Sequence, residues 1–370
     1  MRKIELSYTL SPGRQPDGWI RNALMDLLHA VQEHGSISGA AKAVGLSYRH
    51  VWGELKRWEA ELGHPLIVWE KGQPAKLAPF GEKLLWAERQ AQARLAPQIA
   101  ALQADLERAF AVAFDDTARV LTLFASHDEG LARLRELAVN EARLHLDVRF
   151  CGSVDAIAAL NEGRCSVAGF HIPVGSPPGS LAERTFRPLL QPGRHKLMGF
   201  ARRSQGLIVA AGNPLGLTGL ADLPRARLAN RGLGSGTRVL FDELLAQAGI
   251  APASIRGYDS SESSHSAVAQ AVASGAADAG LGIEAAARAR GLGFVPLVQE
   301  HYFLVCLKDI LDEPATLALR ELLRGEAWKA VLQALPGYAP LRSGEVLSLT
   351  EQLPWWQLPP KRKPLKARRS

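Results

Sequence analysis

Only three cysteines occur in 370 residues, Cys151, Cys165 and Cys306, and no two of them form a CxxC pair. That spacing excludes a disulfide framework and a thiolate metal site, leaving reduced, mostly core cysteines. Apolar runs are short, and none approaches the ~18 residues that a membrane-spanning helix needs. The first residues carry no apolar secretory region, so the chain is expected to be cytoplasmic, with no membrane partner. GxxxxGK[ST] is missing, which removes the usual phosphate-cradling nucleotide loop. Acidic residues are missing from residues 361–370, whose six basic residues supply all but one unit of the net charge of +7. The rest of the chain is therefore nearly neutral. The basic end is either a source of non-specific phosphate attraction or a solubilising tail.

What is present starts with residues 35–62, GSISGAAKAVGLSYRHVWGELKRWEAEL. Ser36 can cap a helix beginning at Ile37, Ala40, Ala41 and Ala43 keep that helix thin, and Gly45 supplies a left-handed turn residue. Ser47 then caps a second helix on which Val51, Leu55, Trp58 and Leu62 make one apolar face. This is the pattern of a helix-turn-helix whose second helix enters the major groove. Its candidate DNA-binding residues are Ser36, Ser38, Ser47, Tyr48, Arg49, His50, Trp52, Lys56 and Arg57. Residues 64–69 and 75–78 read as the strands of a wing around a turn at 70–74, with Lys71 and Lys76 placed for phosphates. Residues 17–34, through Ile20, Leu24, Leu27, Leu28 and Val31, read as a supporting helix. Alternation in residues 2–10 predicts a leading strand.

Residues 80–114 form a long helical stretch with Leu84, Ala91, Leu95, Ile99, Leu102, Leu106 and Phe110 near heptad spacing. Pro97 should kink that helix or fall in the first turn of a restarted one. The stripe packs against a second copy of the chain or against its own C-terminal half; a symmetric dimer is the more economical. From residue 118 strands alternate with helices, implying parallel α/β sheets in two lobes with a cleft between them. Long crossings are expected near residues 190–206 and 299–307, and a short strand at 255–258.

Four strand-to-helix junctions place amides and hydroxyls at that cleft: Ser126, Ser153, residues 234–238 and residues 263–265. The loop GLGSGTR adds Ser235, Gly236, Thr237 and the guanidiniums of Arg231 and Arg238. Candidate ligand-binding residues are therefore Ser126, His127, Asp128, Ser153, His171, Arg231, Ser235, Gly236, Thr237, Arg238, Ser264, His265 and Tyr302. His127 is a ligand donor or a cap, and Tyr302 a closing side chain or a core residue. Three consecutive residues, Ser126-His127-Asp128, cannot converge as a catalytic triad. The histidines have no metal-ligand spacing. No catalytic residue, metal ligand or resident cofactor is expected.

Two resemblances sharpen this reading. Residues 2–110, with GSISGAAKAVGLSYRHVW, resemble the winged helix of ModE-type molybdate-responsive regulators, with LysR-type regulators as close cousins; this implies a dimer on a palindromic double-stranded operator. Residues 118–340 resemble a type II periplasmic-binding-protein-like domain related to molybdate-binding proteins, through FASHDEGL at 124–131, AGFH at 168–171, NRGLGSGTRVLFDELL at 230–245, SHSAVAQAVASGAADAGLGIEAAA at 264–287 and Tyr302. The expected organisation is a winged helix-turn-helix at 1–79, a linker and dimerisation helix at 80–116, a two-lobed ligand domain at 117–345 and a basic tail at 346–370. Lobe I takes 117–195 and 302–345, and lobe II takes 196–301. The resemblance implies a homodimeric transcription regulator sensing molybdate or tungstate. Alternatives are a regulator sensing a pterin-type molybdenum cofactor or a small organic anion, and a molybdenum-cofactor carrier or enzyme.

Overall fold

A computed structural model of the chain describes residues 22–69, 74–114 and 119–356, which fall into two compact units divided between Ile99 and Ala100. In the first unit, α1 (Ala23–His34) is capped by Asn22, α2 (Ile37–Ala43) by Ser36 and α3 (Tyr48–Leu62) by Ser47, each side chain accepting from amides of the first turn. Gly45 takes φ 69° at the turn, as the motif requires. Leu24, Leu28, Val31, Ala40, Val51 and Leu55 close one apolar core. Burial of each leucine there contributes roughly 1.5–3 kcal/mol. The short strands β1 (Ile67–Val68) and β2 (Lys76–Leu77) pair antiparallel. Glu59 of α3 accepts from the amides of Leu66 and Ile67 at 2.8 and 3.2 Å, tying the wing to that helix. The supporting helix starts at Ala23 rather than near residue 17. The expected strand at 2–10, Ile20, and residues 70–73 with Lys71 lie outside the described residues. Helix α4 (Pro79–Phe114) runs through Pro97 without restarting.

The second unit begins with β3 (Arg119–Ala125), α5 (Glu129–Ala142), β4 (Leu144–Phe150), α6 (Ser153–Asn161), β5 (Val167–Pro173) and α7 (Leu181–Phe186). It continues with β6 (His195–Val209), β7 (Leu228–Ala229), α8 (Gly236–Gln247), α9 (His265–Ala273), β8 (Ala279–Ile283), α10 (Glu284–Arg288) and β9 (Gly293–Leu307). The last elements are α11 (Pro314–Arg324), α12 (Glu326–Ala334), β10 (Tyr338–Pro340), β11 (Val346–Leu347) and α13 (Leu349–Gln352). One sheet runs β4-β3-β5-β9-β6-β8-β7, with β10 and β11 also on β6.

Several expectations need correction. The sheet is mixed, not parallel: β3 pairs parallel with β4 and β5, and β7 with β8, but β9 is antiparallel to β5 and β6, and β6 to β8. The two expected crossings are strands, since β6 and β9 pair along their whole lengths. Polar side chains inside those strands hid the alternation. The sheet changes partners near Gln205, where β8 joins β6, so a lobe division at 195/196 falls at the start of β6 instead. Residues 255–258 form no strand; only a single bridge joins Arg256 to Arg227.

A further correction concerns residues 346–356, read as the start of a tail. β11 pairs with Met198 and Leu197 of β6, and Leu347, Leu349, Leu353 and Trp355 are buried with Phe170 and Phe186. The apolar residues of this segment complete the core, and of the expected tail residues 357–370 lie outside the described residues. Elsewhere Leu131, Leu134, Leu319, Leu323 and Trp328 pack α5, α11 and α12 together, and Leu240, Phe241 and Leu245 seat α8.

Candidate effector site and nucleic-acid interface

The middle of the sheet carries a row of buried polar side chains. His171 of β5 stands opposite Tyr302 of β9, and Glu300 of β9 stands opposite Arg203 of β6. Two register shifts, at Gly199/Ala201 and Gln205/Gly206, flank Arg203 and re-aim the side chains between them. Arg203 Nη1 donates to Asp128 at 2.5 Å and its Nε to Glu300 at 3.0 Å, all three groups almost wholly buried. Tyr338 of β10 adds a hydroxyl bond to Asp128 at 2.5 Å. Gln205 Nε2 donates to Glu300 at 2.7 Å and to Thr237 at 3.3 Å.

Around this frame several buried polar atoms have no hydrogen-bond partner among the described residues. They include the donors Arg203 Nη2 and Arg231 Nη1, the hydroxyls of Ser126 and Tyr302, and the ring nitrogens His127 Nδ1, His171 Nε2 and both of His265, of which a neutral imidazole offers one donor and one acceptor. The acceptors are Glu129 Oε2, Gln205 Oε1 and Glu300 Oε1. Buried polar groups are nearly always satisfied, so this concentration of exceptions makes the row the candidate ligand site. His171 and Tyr302 rings lie 5.6 Å apart, and the Arg203 guanidinium lies 5.0 Å from the Tyr302 ring. Ser153 Oγ sits 3.5 Å from His171 Nδ1. A Cβ at Gly236 would fall 2.3 Å from His171 Nε2, so the loop fits there only as glycine.

Other expected ligand residues are engaged in the fold. Ser235 accepts from the Arg238 amide and donates to the Gly232 carbonyl. Ser264 caps α9 through the Ala267 amide. Asp128 caps α5 and holds Arg203, and Thr237 accepts from Gln205. Arg238 is turned away from the row: it grips Asp242 at 3.0 and 3.2 Å and lies 4.2 Å over the Tyr258 ring. Sequence reasoning missed Arg203, Gln205 and Glu300. Their signal was a spacing of two, Arg203/Gln205 and Glu300/Tyr302, which puts each pair on one face of a strand.

Electrostatics distinguish the two buried arginines. Burial alone would lower Arg203, but Glu300 and Asp128 override it and hold the guanidinium above its ordinary range. Burial, then the nearby charge of Arg203, pulls Arg231 down to about 10. Its Nε and Nη2 reach only the carbonyls of Glu262 and Ser263, at 3.1 and 3.2 Å. Burial, followed by the same two guanidiniums, drives His171 and His265 well below the usual histidine range. Burial lowers His127 too, against the pull of Glu129 and Asp128. A cavity of about 300 Å3 lined by Arg231, Leu233, Arg238, Asp259, Ser260 and Ser261 lies on one side. Of the unpartnered atoms it touches only those of Arg231, so the buried row carries the site.

On α3 the Ser47 hydroxyl is taken by its cap, as is that of Ser36 on α2. Ser38, Tyr48, Arg49, His50, Lys56, Arg57 and Lys76 are exposed, and Trp52 is half-buried. Lys56 pairs with Glu59 at 2.6 Å, and Arg57 with Glu54 at 2.6 Å. Such exposed pairs are weak and yield readily to a polyanion. Arg49 has no ion pair among the described residues.

Residues 134–324 match the family model of the PBP superfamily domain, which is more than half of the chain. The chain belongs to the PBP superfamily. Residues 23–82 of this PBP-superfamily chain match the bacterial regulatory helix-turn-helix protein, lysR family. Together the two matches give a LysR-type helix-turn-helix domain followed by a PBP-superfamily domain. It is 35 % identical over 219 residues to the uncharacterized protein YvgK of Bacillus subtilis (strain 168), covering 59 % of this chain and 69 % of that one. Over 173 residues it is 25 % identical to the molybdenum-pterin-binding protein MopB of Rhodobacter capsulatus, covering 40 % and 62 %. Among solved structures, the LysR family transcriptional regulator CbnR is 18 % identical, with a TM-score of 0.39, covering 80 % and 96 %.

Proposed function

We propose that this regulator works in the cytoplasm as a homodimer on a palindromic operator and responds to a small anion, with molybdate or tungstate the first candidates. One observation carries the anion: Arg231 is buried with a free Nη1 and no carboxylate partner among the described residues. Glu129 and Glu262 act on it only from a distance, without an ion pair, and an anion in direct contact would offset the cost of burial through charge-assisted hydrogen bonds of roughly 1.5–3 kcal/mol each. Ser126, His265 and Tyr302 would supply further donors. The 25 % likeness to MopB supports molybdenum chemistry. The dimer is supported by Leu95 and Leu102, seven residues apart on α4 and 38 % and 57 % exposed.

A second reading is a pterin-type cofactor or another organic anion. Gln205 Oε1 and Glu300 Oε1 favour it, because unpartnered acceptors beside the donors suit a ligand that also carries N–H or O–H groups. Calorimetric titration of the full chain with molybdate, tungstate, sulfate and pterins decides between them. Molybdate or tungstate binding that Arg231→Ala weakens about 10- to 150-fold is expected. Binding only by pterins selects the second reading, and equal affinity in Arg231→Ala would overturn the anion site.

A further inference from the structure

We infer that Gly53 is the point at which α3 comes closest to the duplex, and that Tyr48 and Trp52 beside it read thymine methyl groups. The inference rests on the DNA-binding reading and adds which helix face docks and which bases it prefers. Two ridges with a spacing of four run along the solvent side of α3: Tyr48, Trp52 and Lys56, and beside them Arg49, Gly53 and Arg57. Val51 and Leu55, fully buried, fix the opposite side against the core. Nothing lies within 4 Å of a Cβ built at Gly53. The fold therefore has room for any side chain there, although glycine is the poorest helix former after proline. A helix that gives up stability on its open face, with arginines one turn before and after, has a surface shaped for a polyanion that approaches its backbone.

The neighbouring ridge is aromatic. Tyr48, at the first turn and 50 % exposed, stacks on Trp52 with ring planes 5° apart and centroids 6.5 Å apart. Trp69 of the wing, 53 % exposed, meets Trp52 edge-on at 6.2 Å, and Lys56 Nζ lies 4.8 Å over the same ring. In the major groove the one apolar feature of a base edge is the thymine C5-methyl, so an aromatic ridge at the start of a recognition helix selects T·A pairs.

The test uses the full chain and the tightest duplex selected from a random-sequence pool. Gly53→Ala should raise the unfolding midpoint by a few degrees yet weaken the selected duplex at least about tenfold. Replacing contacted thymines by uracil leaves the protein untouched and should cost about fourfold per methyl lost. Tyr48→Ala should abolish that thymine-against-uracil difference. Unchanged affinity in Gly53→Ala together with indifference to uracil would overturn the inference while leaving DNA binding intact. Failure to enrich any duplex would remove the reading beneath it as well, and would direct the aromatic face to a protein partner.

Discussion

Arg49 and Arg231 carry the same guanidinium in opposite surroundings. Arg49 lies exposed at the start of α3, where water satisfies it and a phosphate or guanine edge can replace that water at little cost. Arg231 is held dry by the carbonyls of Glu262 and Ser263, with one nitrogen unserved. The first arrangement waits for a polyanion of any length and is sensitive to salt. On the proposed reading the second selects a small anion, because a ligand that fits would offset the cost of the burial. Arg203 shows what a settled buried arginine looks like: two carboxylates and a tyrosine hydroxyl make it part of the frame.

The largest effect expected along this contrast is at Arg203. Arg203→Met strands Asp128 and Glu300 in the core and should cost about 3–5 kcal/mol in a urea melt of the full chain. A loss near zero would mean that the frame is not built on this guanidinium. pH probes the dry surroundings next. His171 and His265 are held below their ordinary value of 6.5, so the unfolded chain takes up protons first. Their contribution is complete above pH 6.5 and declines as pH falls below it. The slope should reach up to about 1.4 kcal/mol per pH unit for each imidazole. Denaturant midpoints measured from pH 7.5 down to 5 should fall accordingly, and an anion that binds at Arg231 should flatten the decline. Smallest is the exposed site: Arg49→Ala should weaken a selected duplex by about 1–3 kcal/mol and random duplex far less, as fluorescence anisotropy would show. Equal losses on both would make Arg49 a phosphate contact. Lys76→Ala should lower both evenly.

The contrast also explains how much could be read before the fold was known. The helix-turn-helix was legible because its signals are local: Ser36 and Ser47 cap, Gly45 turns, and Val51 with Leu55 face inward. Most strands and helices of the second unit were legible for the same reason. The middles of β6 and β9 were not, because Arg203, Gln205, Glu300 and His301 break the apolar text that marks a central strand. Local rules fail where buried side chains form a polar network rather than an apolar core. The same failure hid part of the candidate site and made Arg238, flanking a glycine loop, look like a ligand contact when Asp242 and Tyr258 already hold it. Residues 346–356 were misread for a different reason, since their packing partners Phe170 and Phe186 lie far away in sequence.

β6 and β9 pass through both halves of the second unit as paired, unbroken strands, joined along fourteen registered positions from His195 to Val209. A hinge of two free loops would let the halves swing apart; a laddered ribbon resists that and yields mainly by winding or unwinding. The unpartnered buried groups of the candidate site sit midway along this ribbon. An effector bound there, as proposed, would act on a torsion spring at its centre, where a few degrees of rotation would be carried outward to both ends.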